Sequence, residues 1–267
     1  MSYIVFSDLD GTLLDHYDYS FSAAIEAIRT LQQRNIPIVL NTSKTKAETA
    51  VILAQMQLDD AFIVENGAAV FLPKSHFSTP PSGCYSTGEF WCYEFVKPMP
   101  QWRELLRQFA LQTPTCFSSL STMPLQQLIE LTSLTPEQAE AAKDRGYAEV
   151  LHWTGSDSQL SSLHKFAEEN GAKVHIGGRF VHFGGESDKG RAMQWVTARY
   201  QELEGELLQT IALGDGQNDA PMLALADFPV VIRSPENPAP NLSTEKSIRT
   251  SELYGPHGWR EEIERFF

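Results

Sequence analysis

Tyr3-Ile4-Val5-Phe6-Ser7-Asp8-Leu9-Asp10-Gly11-Thr12 decides the fold. The apolar run 3–6 has the length and composition of a strand buried on both faces, the kind found in parallel sheets. Asp8 and Asp10, two residues apart, leave an extended chain on the same side. Gly11 then lets the backbone turn sharply. Two crowded carboxylates repel unless a cation joins them or one takes a proton. Mg2+ suits such a pair, because it takes oxygen ligands and leaves room for phosphate. An acidic turn after an edge strand would read the same way over these few residues, so the rest of the chain must decide.

Outward from that stretch, strands and helices alternate. Ser20 to Arg34 reads as a helix, with Ile25, Ile28 and Leu31 on one face, Ser20 or Ser22 to cap it and Asn35 to end it. Residues 36–40 form a second buried strand, opening into Asn41-Thr42-Ser43-Lys44. A helix from about Thr45 to Gln57 leads to a third strand at 61–64, followed by Glu65-Asn66-Gly67. This alternation requires a parallel sheet with helices on both faces, and ligands of such sheets gather at the carboxyl ends of the strands. Asp8, Thr42 and Asn66 fall there by count.

The character changes at residues 73–83, a run of turn formers. Residues 84–183 read as an inserted α+β domain. It has helices near Trp102 to Leu111 and Pro124 to Thr132, and a third beginning Thr135-Pro136-Glu137-Gln138, where Thr, Pro and Gln stand as a capping box requires. Strands at 148–154 and 172–176 flank a helix from Ser156 to Asn170, and a hairpin at Gly177-Gly178 closes the insert. The sheet domain, residues 1–83 and 184–267, resumes with a helix from Asp188 to Leu203. A strand at 209–213 follows, then Gly214-Asp215-Gly216-Gln217-Asn218-Asp219, a strand at 229–232, a Pro- and Asn-rich loop at 234–243 and a terminal helix from Trp259 to Phe267.

Composition bounds the function. Apolar residues make up 42% and charged residues 21%, as in soluble globular proteins. No window is long and apolar enough for a membrane span. No basic-then-apolar leader precedes the acidic loop. Cys84, Cys92 and Cys116 lack zinc-like spacing and are odd in number, which favours free thiols in a reducing cytoplasm. A net charge of -13 argues against nucleic acid and anionic membranes as partners. An anionic substrate must then be drawn in by local cations and metal.

The strand ends supply compatible parts: Asp8 and Asp10, Thr42 with Ser43 and Lys44, Lys189 at a helix start, and Asp215 with Asn218 and Asp219. Carboxylates hold a metal, while hydroxyl, amide and ammonium groups neutralise phosphoryl oxygens. Singly, each has an ordinary explanation: a solvated Lys, or Asp residues that cap a helix. Together they outline a site for Mg2+ and a small phosphorylated substrate. An EF-hand is excluded, since counting from Asp8 puts Thr12 and Tyr19 where carboxylates belong. No GxxxxGK[ST] run exists, and the glycine pattern at 214–219 has Asp219 in place of the third Gly of a dinucleotide fingerprint.

DLDGT at Asp8, NTSK at Thr42, DKG at Lys189 and GDGQND at Asp215 stand in the order of the haloacid dehalogenase superfamily, and the insert resembles the cap of its Cof-like branch. The resemblance implies a doubly wound, Rossmann-like α/β core with an inserted cap. It implies Asp8 as nucleophile, Asp10 as general acid and base, and Thr42 and Lys189 on the phosphate. Mg2+ would be held by Asp8, the Asp10 carbonyl and Asp215, with Asp219 steadying its water shell.

A narrower similarity, to the mannosyl-3-phosphoglycerate phosphatases, rests on Leu120-Ser121-Thr122-Met123, Glu130-Leu131-Thr132, 142–149, Gly177-Gly178-Arg179-Phe180 and Gly255-Pro256-His257-Gly258-Trp259. The chain departs from that family at Gly146, where an acidic residue often stands. In the insert, Lys143, Arg145 and Arg179 are the candidate substrate cations, Arg's planar fork suiting a carboxylate. Alternatives are a glucosyl-3-phosphoglycerate or other sugar phosphatase, a phosphomutase, and a receiver-like protein phosphorylated as a signal.

Overall fold

The computed structural model describes residues 2–113, 116–132, 134–177 and 180–267. Two compact units emerge: one from Met1–Ser43, Ile52–Glu94 and Asp188–Phe267, the other from Lys44–Val51 and Phe95–Ser187. The first carries β1 (Ser2–Ser7), α1 (Ile25–Gln33), β2 (Ile38–Asn41), the C-terminal part of α2 (Lys46–Met56), β3 (Phe62–Val64), β4 (Ala69–Pro73), β5 (Tyr85–Thr87) and β6 (Phe90–Glu94). The second carries α3 (Met99–Gln112), β7 (Phe117–Ser119), α4 (Leu125–Thr132), α5 (Pro136–Lys143), β8 (Ala148–Trp153), α6 (Asp157–Glu169), β9 (Lys173–Gly177) and β10 (Phe180–Gly184). The chain then returns to the first unit as α7 (Lys189–Glu204), β11 (Leu208–Gly214), α8 (Ala220–Leu225), β12 (Phe228–Arg233), β13 (Arg249–Tyr254) and α9 (Gly255–Phe266).

The main sheet runs β13-β12-β11-β1-β2-β3-β4-β6-β5. From β13 to β3 every pairing is parallel, and Ile4, Val5 and Phe6 are fully buried at its centre. The order reverses between β1 and β11, so the crevice where a doubly wound sheet binds ligands opens beyond Ser7 and Gly214. Helix α1 turns Ala27, Ile28 and Leu31 inward, and Asn35 follows it at φ 53°, the left-handed conformation that ends helices.

The expected boundary at residue 84 is corrected. The sheet continues antiparallel through β4, β6 and β5, so residues 85–94 belong to it. Turn formers at 73–83 connect β4 to β5, two strands that flank β6 within this extension. A further departure is at 44–51, which groups with the second unit, where Thr45 Oγ1 donates to the Ala141 carbonyl at 2.9 Å.

The second unit holds an antiparallel sheet in the order β7-β8-β10-β9. Helices α5 and α6 begin with the capping boxes of Thr135 with Gln138 and of Ser156 with Gln159. Leu120, Met123, Leu128, Ala139 and Val150 form an apolar cluster between strand and helices. The expected turn at Gly177-Gly178 and the side chain of Arg179 fall on 178–179, outside the described residues.

Candidate active site

Each acidic group sits where a buried parallel strand runs out. Asp8 follows β1, and its N–H is fixed on the Leu213 carbonyl of the neighbouring strand at 2.9 Å. Asp215 follows β11, and Asp219 lies in the 3-10 turn Gln217–Asp219. Lys189 is the first residue of α7, whose start is capped by Asp188 through the Gly190 and Arg191 amides. Asn41 Nδ2 donates to the Lys189 carbonyl at 3.0 Å, which ties α7 to the end of β2.

These anchors bring together residues far apart in the chain. Lys189 Nζ donates to Asp8 Oδ1 at 2.6 Å and to Asp219 Oδ1 at 2.5 Å, all three side chains being buried. The other Asp219 oxygen accepts from the Asp215 and Gly216 amides at 3.1 and 3.0 Å. Asp215 accepts from Thr12 Oγ1 at 3.3 Å and from Asn237 Nδ2 at 2.8 Å. Gly11 turns at φ +77°, and a Cβ there would stand 2.6 Å from Asp215 Oδ2, so only glycine lets the Asp8 loop come so close.

The electrostatics follow from burial. Desolvation raises Asp8 well above the ordinary carboxylate range, the Asp219 charge adds to this, and Lys189 opposes it. Burial works against the charged form of Lys189, but the carboxylates of Asp219 and Asp8 override it and raise its pKa. Asp215 is raised by burial, with the Asn237 hydrogen bond pulling it back.

Oxygens of Asp8, Asp215 and Asp219 all lie within 4.8 Å of one another. Three carboxylates share one ammonium, which leaves a set of hard oxygen donors with fewer cations than acids. That set fits a divalent ion such as Mg2+.

The other candidate residues are placed as follows. Asp10 is half-buried in a turn closed by the Gly11 N–H on the Leu14 carbonyl. Thr42 is buried just past β2, its N–H on the Ile63 carbonyl and its own carbonyl taking the Asn66 amide. Ser43 and Lys44 follow it, half-buried. Asn218 is exposed and donates to Asn66 Oδ1 at 3.4 Å, linking the ends of β11 and β3. In the second unit, Lys143 Nζ is engaged by the Met123 carbonyl at 3.0 Å. Arg145 is half-buried close to His182; burial first, and then the Arg145 charge, lower that imidazole to about 3. Thr12, Asn41 and Asn237 had no role in the sequence reading. Thr12 lies inside the acidic motif, but Asn237 sits in a loop rich in Pro and Asn and carries no local signal.

Residues 5–79 match a family model described as haloacid dehalogenase-like hydrolase. A glucosyl-3-phosphoglycerate/mannosyl-3-phosphoglycerate phosphatase of Persephonella marina is 36% identical over 98% of this chain and 96% of its own. The chain belongs to the haloacid dehalogenase-like hydrolases. A protein of the same description from Methanococcoides burtonii is 33% identical over the same shares of the two chains. A haloacid dehalogenase-like hydrolase of Bacteroides thetaiotaomicron shares the fold at a TM-score of 0.69, with 17% identity over the whole of both chains. This member of the superfamily is a phosphatase. No helix among its described residues is long and apolar enough to cross a membrane.

Proposed function

We propose that the protein is a Mg2+-dependent phosphomonoester hydrolase that works through an aspartyl-phosphate and removes phosphate from mannosyl-3-phosphoglycerate. The observation that carries the chemistry is the buried Lys189 ammonium, within hydrogen-bond reach of Asp8 with Asp215 beside them. Asp8 attacks the phosphorus in line, and the bond to the leaving oxygen breaks as Asp10 gives that oxygen a proton. Asp10, now a base, takes a proton from water; the water oxygen displaces Asp8 and frees inorganic phosphate. Lys189 offsets the charge that accumulates between Asp8 and the phosphoryl oxygens, and Thr42, Ser43, Lys44 and Asn218 supply the remaining donors. Asp8, the Asp10 carbonyl and Asp215 would hold Mg2+, with Asp219 bracing the Asp215 loop. Bound there, the ion lowers the repulsion between the entering carboxylate and the phosphate dianion.

The sheet unit then does the chemistry, and the second unit selects the leaving group, with Lys143, Arg145 and Arg179 as its candidate cations for a glycerate carboxylate. The substrate reading is supported by the two relatives matched over almost the whole chain. Their names cover the glucosyl ester as well, so glucosyl-3-phosphoglycerate is the second reading. Free Cys84, Cys92 and Cys116 agree with work in a reducing cytoplasm.

The test is phosphate release from both esters and from simple sugar phosphates, with Mg2+ and with chelator. Turnover of the glyceryl esters should exceed that of the simple ones and vanish in chelator. Asp8→Asn should abolish it; an unchanged rate in that variant defeats the nucleophile assignment.

A further inference from the structure

The motif Gly255-Pro256-His257-Gly258-Trp259 has no part in the chemistry above, yet it reaches the residue beside the nucleophile. It forms the first turn of α9, with Pro256 where a missing N–H is tolerated. At Gly258 a Cβ would collide with the Leu253 carbonyl and stand 2.7 Å from Ser251 Oγ, so glycine lets the helix lie against the end of β13. The next residue, Trp259, is fully buried and donates its indole Nε1–H to Ser7 Oγ at 3.0 Å. Ser7 Oγ in turn donates to the Asp8 carbonyl at 2.7 Å.

The direction of this chain is forced. Indole can only donate, and a hydroxyl has one hydrogen to give. With Trp259 filling an acceptor position of Ser7, the serine proton is directed at the Asp8 carbonyl. Asp8 is thereby held on both sides: its N–H on Leu213 and its C=O on Ser7. Ser7 and Trp259 are each 0% exposed, so water cannot replace either partner. A carboxylate that must meet phosphorus in line gains from a backbone unable to rotate.

We infer that Trp259 and Ser7 are positioning residues for the nucleophile, the terminal helix locking the Asp8 peptide through the indole N–H and the serine hydroxyl. This rests on the reading of Asp8 as nucleophile. The role is one of orientation, so it belongs to the chemical step and not to substrate or metal affinity.

The experiment is steady-state hydrolysis of p-nitrophenyl phosphate at saturating Mg2+ by wild type, Trp259→Phe, Ser7→Ala and the double variant, alongside their melting temperatures. Phe keeps most of the ring and removes the donor. Each single variant should lose roughly 5- to 20-fold in kcat, with KM and the Mg2+ concentration for half-activity held within about twofold. The double variant should be no slower than Ser7→Ala, because both changes break one chain. If Trp259→Phe does not fold, Ser7→Ala carries the test. Folded variants with wild-type kcat and only a lower melting temperature overturn the inference, as do losses that multiply in the double variant. Asp8→Asn, run in parallel, separates the two claims: turnover in that variant sinks the nucleophile reading, whereas its silence beside a fully active Ser7→Ala sinks only the positioning role.

Discussion

Replacing Lys189 by Met tests the electrostatic centre of the site. Met keeps much of the length and apolar volume of the lysine stem and removes the ammonium that lies 2.6 Å from Asp8 and 2.5 Å from Asp219. Both carboxylates are buried, so removing their shared partner leaves like charges facing each other without water. Breaking a buried pair from one side costs about 3–5 kcal/mol.

The chain can relieve this by protonating Asp8, whose pKa already lies well above its unfolded value through burial and the Asp219 charge. Without Lys189 that rise is larger. The folded variant therefore keeps a proton that the unfolded chain has released, and its stability falls as pH rises, by about 1.4 kcal/mol per pH unit for one proton. In wild type Lys189 opposes the rise at Asp8, so less of this loss with pH is present there.

Urea unfolding in chelator at about pH 8 should then show a deficit of about 3–5 kcal/mol for Lys189→Met, shrinking to about 1 kcal/mol near pH 5. Turnover should be lost, because a protonated Asp8 cannot attack phosphorus. A deficit that is the same at both pH values, or below about 1 kcal/mol at the higher one, would refute the argument.

Two other outcomes follow from single contacts. Asn237→Ala removes the 2.8 Å donor to Asp215 and should weaken Mg2+ binding, read by titration calorimetry without substrate, about three- to tenfold. Glu236→Gln, on the same loop as Asn237 but in contact with Tyr17, should leave it unchanged. Asp60 is pushed up to about 6 by burial, although it accepts from the Ile38 amide at 3.0 Å. The folded chain thus holds a proton that the unfolded one releases, and this group makes stability fall by about 3 kcal/mol as pH rises from about 4 to about 6. Asp60→Asn should remove that slope from urea midpoints measured across the interval.

The local rules of the polypeptide were written plainly. Apolar runs with acidic or hydroxyl residues at their ends marked β1, β2 and β11 and put Asp8, Thr42 and Asp215 at one end of a parallel sheet. The Thr135 and Ser156 starts carried their own caps. Each of these depends on neighbours within a few residues, where sterics and backbone hydrogen bonding act directly.

What only the tertiary structure decided is how distant side chains pair. The extension through β4, β6 and β5 was missed because strands of three to five residues have too little periodicity to read. Asn237 on Asp215 and Trp259 on Ser7 join residues separated by 22 and 252 positions. Such a hydrogen bond is selected by whichever surfaces the packed sheet and helices bring within about 3 Å, a distance that no local pattern encodes.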